Sequence, residues 1–361
     1  MFLSLLIGMG WGAVKAEINN QTLAVLVNKN DPESLEIAKY YQKVRGIPDA
    51  NIIVLNFKFN EDYLSESGFK RIKKQLEEKV ANKIQAYVLA WRKPWRVDCM
   101  SITSAFSLGF NNDYCSDGCS LTKSVEYFNS SSNKPYDDYG FRPSMMLSGG
   151  SLDKVKQLID AGVESDYSRP VSSAYLMDTS DKDRNVRSSY YPHIKKYLDS
   201  LLNIEILKAD AIKYEPDVLF YFTGTKKVRW IETNNYFPGA IADHLTSTGG
   251  KLFGGNQMSI VKWIDAGVTG TYGTVVEPCN YRQKFPNPGI VMQKYLSGET
   301  LIESYWKSVK MPGQGVFVGE PLAAPFKGCL IISDGYKKSH FVNDRASDNY
   351  VSKQSKNCHL H

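Results

Sequence analysis

Residues 22–57 read TLAVLVNKNDPESLEIAKYYQKVRGIPDANIIVLNF, and this stretch decides the fold. Leu23 to Val27 is an unbroken apolar run of strand length, which suits a buried strand. Asp31-Pro32 then opens a helix, with proline at the first helical position where its missing N–H costs nothing. The helix runs through Leu35, Ile37, Ala38 and Tyr41 and ends near Gly46, and Ile52 to Leu55 is a second strand. A Lys/Glu-rich helix follows over 66–82, with Phe69, Ile72, Leu76 and Val80 on one face. Ala86 to Ala90 is a third strand. A βαβαβ series of this kind predicts an α/β fold, a doubly wound and mainly parallel sheet with helices on both faces.

The same alternation resumes after a break. Residues 92–142 are rich in Ser, Asn, Asp, Gly and Tyr and contain three cysteines. A loop that long in a compact domain is commonly functional or pinned by disulfides. From residue 151 the pattern gives a helix at 152–161, a strand at 174–177, a Tyr-rich helix at 190–202 and a strong strand at 218–222. Helices at 238–246 and 258–266, a strand at 270–276, and helices at 289–297 and 299–308 complete it. Pro312 to Gly315 and Gly319 to Leu322 read as turns, and Trp263, Tyr305 and Trp306 as helix-packing residues. The organisation predicted is a first α/β half at 20–150 with the long loop inside it, a second half at 151–335, and a polar tail at 336–361.

Composition narrows the class. Apolar residues make up 42% and charged residues 23%, ordinary for a soluble globular chain of 361 residues. The net charge of +6 is spread along the chain, and clusters such as Lys226-Lys227-Val228-Arg229 read as solvated faces, which argues against nucleic acid. Phe2 to Val14 is a short apolar run ending in Ala13-Val14-Lys15-Ala16, with small residues where a signal peptidase reads. It is too short for a membrane span and fits a signal peptide over 1–16, without a basic leading segment. A periplasmic or secreted protein without an integral membrane segment is therefore expected. Six cysteines in an oxidising compartment permit disulfides, and Cys115 with Cys119 around a tight polar turn is the leading pair. The five histidines show no zinc spacing, so no metal is expected, and no cofactor motif stands out.

In an open parallel sheet, ligands sit beyond the carboxyl ends of the strands. If all strands run one way, a single edge gathers Asn28, Asn30 and Asp31, Trp91-Arg92, Asp178 to Asp181, Thr223 to Thr225, and Glu277 to Asn280. The sharp chemical reading is a thiol dyad of Cys279 and His244, an imidazolium lowering the thiol pKa, with Asp243 in a supporting position. Glu277 beside Cys279 works against a thiolate. The alternatives for Cys279 are a turn residue or half of a disulfide with Cys329 or Cys99. Asp178, Asp181 and Glu277 could hold a hard cation, although a solvated, salt-bridged turn explains Asp181, Asp183 and Arg184 as well. Thr246 to Gly250 is a flexible loop whose N–H groups could face an anion.

Several segments together resemble a known family: the opening stretch, VDCMSITSAFSLGF, RPSMML, FYFTG, PGAIADHLTSTGG, QMSIVKWIDAGVTGTYGTVVEPCN, KFPNPGIVMQKYLSGETLIESYWKSV and PGQGVFVGEPLAAPF. Over residues 22–327 the chain is similar to a family of secreted bacterial proteins whose genes accompany exosortase, a membrane transpeptidase of protein sorting. The resemblance implies export and a link to surface-protein sorting, and carries over no catalytic residues. More weakly, the chain resembles the gingipain and caspase-like cysteine peptidases. Where those have Gly-His-Gly, this chain has Phe222-Thr223-Gly224-Thr225 without histidine. Where strand order would place their cysteine, it has Ser247, and Cys279 comes later.

Two functional classes follow. One is an exported protein that binds a peptide, glycan or other cell-surface partner at the sheet edge, through Asp178, Thr223, Asp243, Glu277 and Asn280. The other is a hydrolase or transpeptidase-like enzyme using Cys279 and His244. A Cys279 locked in a disulfide would remove the nucleophile.

Overall fold

The computed structural model describes residues 18–116 and 118–327, and beyond them the backbone of two strands. The expected signal segment at 1–16 lies outside the described residues, as does the polar tail apart from one of those strands.

The chain begins as expected. Strand β1 (Leu23–Asn28) is buried along its whole length. Helix α1 (Pro32–Arg45) is capped by Asp31, whose carboxylate accepts from the Glu33 N–H at 3.0 Å. Strands β2 (Ile52–Leu55) and β3 (Tyr63–Leu64), helix α2 (Glu66–Glu77) and strand β4 (Ala86–Leu89) follow. The long loop holds β5 (Arg96–Val97), β6 (Met100–Ser101) and the helices α3 (Ile102–Leu108) and α4 (Pro135–Tyr139), and leads into β7 (Ser144–Met146). The second series is α5 (Leu152–Ser165), β8 (Ser173–Met177), α6 (Tyr191–Leu198), β9 (Asn203–Leu207), β10 (Val218–Thr223) and β11 (Tyr236–His244). Then come α7 (Val261–Asp265), β12 (Gly270–Thr274), α8 (Pro288–Leu296), α9 (Leu301–Ser308) and β13 (Gly315–Gly319). A hairpin of β14 (Cys329–Ile332) and β15 (Ser339–Val342) comes last.

Ten strands form one sheet in the order β2-β1-β4-β7-β13-β12-β11-β10-β8-β9. Every neighbouring pair is parallel except β12 and β13, which run antiparallel from Gly270 opposite Gly319 to Thr274 opposite Gly315. Helices α1, α5 and α7 cover one face, and α5 packs on both α1 and β11. The other face carries α2, α3, α6, α8 and α9, with Phe69 against Phe106 joining α2 to α3 and Trp306 stacked on Phe317 at 4.5 Å. The α/β class and the helices on both faces are as the sequence predicts. Trp263, Tyr305 and Trp306 are fully buried. Rings of this kind each withdraw about 150–250 Å² from water, a stabilisation on the order of several kcal/mol apiece at ~25 cal/mol/Å².

Two expectations are corrected. The segment PGAIADH is the end of β11, not a helix. Proline is tolerated in this inner strand because the register breaks there: Val218 pairs with Tyr236 but Phe220 with Ile241, so extra residues around Pro238-Gly239 bulge out of the ladder. Gly239 takes φ 89, where a Cβ would sit 2.9 Å from the Ser165 Cβ. The second correction concerns the strand ends. Because β13 reverses the direction between the halves, Asn28, Asn30, Asp31 and Trp91-Arg92 lie on one edge of the sheet. Asp178, Thr223, Glu277, Cys279 and Asn280 lie on the opposite edge. They do not converge.

Candidate functional site

The carboxyl ends of β8, β11 and β12 enclose a pocket of ≈ 320 Å³. Each strand delivers part of its wall, and local hydrogen bonds fix each part.

After β8 the chain turns at Asp178, whose Oδ1 accepts from Asn185 Nδ2 at 2.6 Å, while Asn185 Oδ1 accepts from the Thr179 N–H at 3.1 Å. Asp210 accepts from the N–H and hydroxyl of Ser180, at 2.7 and 2.9 Å. This knotted turn presents Asp183 and Arg184 to the pocket. Arg184 is already engaged, with Nη1 3.1 Å from Asp181 Oδ2 and Nε donating to Thr246 Oγ1 at 3.1 Å.

After β11, the Leu245 N–H donates to Thr223 O at 3.0 Å, and Gln257 Oε1 accepts from Thr246 Oγ1 and the Thr248 N–H at 2.8 and 2.7 Å. Leu245 and Ser247 thereby face the pocket. The loop can return over β12 only because Gly250 and Gly273 let the backbones touch: a Cβ on Gly250 would lie 2.5 Å from Gly273 O.

After β12, Glu277, Cys279 and Asn280 complete the wall. Glu277 Oε1 accepts from the Cys279 N–H at 2.8 Å, and Gln314 Nε2 donates to Glu277 O at 2.9 Å. Cys279 is held at φ 54, a left-handed conformation that β-substituted residues adopt rarely.

The eighth wall residue, Cys119, comes from the long loop and is disulfide-bonded to Cys279, with Cα atoms 5.5 Å apart. Cys115 is bonded to Cys99, also at 5.5 Å. Both cysteines expected in a disulfide are in one, but not with each other. The loop is strapped to the β12 side: Tyr281 Oη donates to Cys119 O at 2.9 Å, and Lys284 Nζ donates to Ser116 Oγ and Ser120 O, both at 2.7 Å. That strap carries Cys119 to Cys279. Burial lowers the Lys284 ammonium pKa to about 8, against the opposing pull of Glu277. Among the described residues no cysteine is free, which suits an oxidising compartment, and no helix is long and apolar enough to cross a membrane.

The expected dyad is not assembled. Cys279 has no thiol while the disulfide stands. His244 is 1% exposed, and both ring nitrogens are occupied. Trp263 Nε1, which can only donate, gives its proton to His244 Nδ1 at 3.0 Å, so Nε2 carries the ring proton and donates to Met258 O at 3.0 Å. Burial pushes its pKa down to about 4. Asp243 does not orient His244. It turns to the other face of the sheet and pairs with buried Arg187 at 2.6 Å, and burial raises its carboxyl against the pull of that arginine. Thr223 is buried, and its carbonyl accepts from Arg187 Nη2 at 2.7 Å.

Of the binding residues expected, the structure brings Glu277 and Asn280 to the pocket. Asp178 serves its own turn, and Thr223 and Asp243 lie inside. Asp183 and Arg184, which the sequence presents as a solvated turn, Ser247 of the flexible loop, and Leu245 complete the wall, each within a few residues of a parallel strand. Asp178, Asp181 and Glu277 have separate partners, and among the described residues no group of three or more His, Cys, Asp or Glu could hold a metal ion.

No family model matches the chain, and no curated protein matches it. It is similar to a solved chain described as "Structure of Protease", with a TM-score of 0.47 and 10% identity over 88% of this chain and 82% of that one, a likeness too distant to bear on activity.

Proposed function

We propose that this is an exported protein that binds a partner, a peptide or a glycan, in the pocket at the carboxyl edge of β8, β11 and β12. The single observation behind this reading is the pocket itself: three parallel strands end in it, and each of its loops is braced by hydrogen bonds to residues outside it. A rigid concave wall at strand ends is the ordinary place for ligand recognition in such sheets. The disulfides agree with a periplasmic or secreted location, and the resemblance to the exosortase-associated proteins points to a role in surface-protein sorting. The alternative, a hydrolase built on Cys279 and His244, has no supporting geometry, because the sulfur is bonded and the imidazole is fixed.

Photo-crosslinking tests the reading. A photoreactive amino acid at Asn280 in the exported protein should give a discrete adduct in cells. The Ser247→Trp variant, which fills the pocket, should abolish it. The same probe at Val171, 96% exposed before β8 on the opposite edge, should not give it. An identical adduct from both positions, or none from Asn280, would sink the proposal.

A further inference from the structure

Disulfides in a pocket wall differ from disulfides in a core, because a third sulfur can reach them. The two bridges here divide along that line. Cys99 and Cys115 pack against the hydrophobic core. Cys119 and Cys279 line the pocket; Cys119 is exposed and Cys279 half-buried. Exchange requires a thiolate to approach along the S–S axis from an open side, and it proceeds faster when the departing sulfur is stabilised as a thiolate.

The surroundings of the two sulfurs are unequal. Cys279 has the Glu277 carboxylate bound to its own N–H at 2.8 Å, and a nearby negative charge disfavours a thiolate there. Cys119 sits on the loop gripped by the Lys284 ammonium, which bonds Ser120 O and Ser116 Oγ at 2.7 Å. A neighbouring cation favours a thiolate. Cys119 is therefore the better leaving group and Cys279 the better target.

We propose that Cys119–Cys279 is a thiol-exchange site: a thiol admitted to the pocket attacks the Cys279 sulfur and displaces Cys119. The incoming thiolate forms one S–S bond to Cys279 as the Cys119–Cys279 bond breaks, and the electron pair leaves on Cys119. No further oxidant or reductant is needed. The product carries a mixed disulfide at Cys279 and a free thiol at Cys119. The segment around Cys119 then keeps the hydrogen bonds of Tyr281 and Lys284 but loses its covalent tie to Cys279, so the pocket wall is loosened in the same step. The substrate class is a thiol, either a small one or a cysteine side chain on a peptide. The inference uses the same pocket as the binding reading but does not depend on the partner proposed there.

The test is mass mapping of the oxidised full chain. The protein is incubated with glutathione, or in a second arm with a short cysteine peptide, then quenched with acid and alkylated. The adduct is expected on Cys279 and the alkyl group on Cys119, at least tenfold faster than any reaction of Cys99–Cys115. The faster arm identifies the source of the thiol. Glu277→Gln should speed exchange several-fold, and Lys284→Met should slow it. If Lys284→Met does not fold, Glu277→Gln carries the comparison. Attack on Cys99–Cys115 first, adducts confined to Cys329 or Cys358, or no exchange until denaturant is added would each overturn the proposal. Failure of the Asn280 crosslink would leave these outcomes unaffected, so the two readings fail separately.

Discussion

His244 and Glu303 are buried groups whose protonation pulls stability in opposite directions. His244 is kept neutral: its folded pKa is about 4 against an ordinary 6.5. Between those values the unfolded chain binds more protons, so this contribution is complete above pH 6.5 and is lost as pH falls towards 4. The difference corresponds to about 3 kcal/mol. Glu303 is the reverse. Burial, only partly offset by Lys307, raises its carboxyl from 4.5 to about 7. Its contribution is complete below pH 4.5 and is lost as pH rises through 7. Over the shared window from 4.5 to 6.5 the two slopes oppose each other, so the urea midpoint of the native protein should change less with pH than it does when either group is removed. Glu303→Gln keeps the capping hydrogen bonds from Thr300 available at the start of α9. It should leave a midpoint that climbs with pH across that window. His244→Gln should leave one that declines. Urea titrations at pH 4.5, 5.5 and 6.5 check both, and two parallel curves would refute the assignment.

Among the elements, legibility follows the strength of the period. β1, α1, α2, β4 and β10 were readable because long apolar runs or one-faced helices leave little choice. β11 was not, since Pro238 followed by Gly, Ala and Ile imitates a helix start. Only its place between β10 and β12 makes it a strand, and the bulge that admits the proline is a tertiary feature. β13 is hidden in the sequence because GVFVG is short and framed by glycines that read as turns. The site is half legible: Glu277 and Asn280 follow a clear strand, whereas Ser247 follows β11, whose sequence imitates a helix. The partner of Cys119 is not legible, because pairing across 160 residues leaves no local trace. The bulge gives a prediction at this scale. Gly239→Ala forces a Cβ onto φ 89 and against Ser165, so it should cost more than about 1 kcal/mol and, in a chain of 361 residues, lower Tm by at least about 1 °C. A change within error would mean that the bulge relaxes freely.

At the scale of the molecule, the antiparallel seam between β12 and β13 organises everything else. It sends the strand ends of the two halves to opposite edges, which is why one edge holds the pocket. On the other edge, Glu320, just after β13, accepts from Tyr41 Oη at 2.6 Å and pairs with Arg45, while its own N–H donates to Thr269 O at 3.1 Å. Arg45 in turn pairs with Asp166 of α5. This buried group ties α1 to the second half. Glu320→Ala would strip buried Arg45 of its main counter-charge and should cost about 3–5 kcal/mol, measured by urea unfolding. On the pocket edge the covalent counterpart is Cys119–Cys279, which closes a loop of 160 residues across the same seam. For a loop of that length, chain entropy alone gives about 5 kcal/mol, and measured values are more often about 2–4. The Cys119→Ser/Cys279→Ser double variant should therefore lose stability of that order. Tyr281 and Lys284 still hold the loop, so the folded protein should keep its far-UV spectrum. If the double variant melts at the native temperature, the bridge contributes nothing to the seam. If its hydrogen exchange accelerates only at 115–121 and 277–284, the bridge acts on the pocket wall alone and the two halves are held by β13 and Glu320.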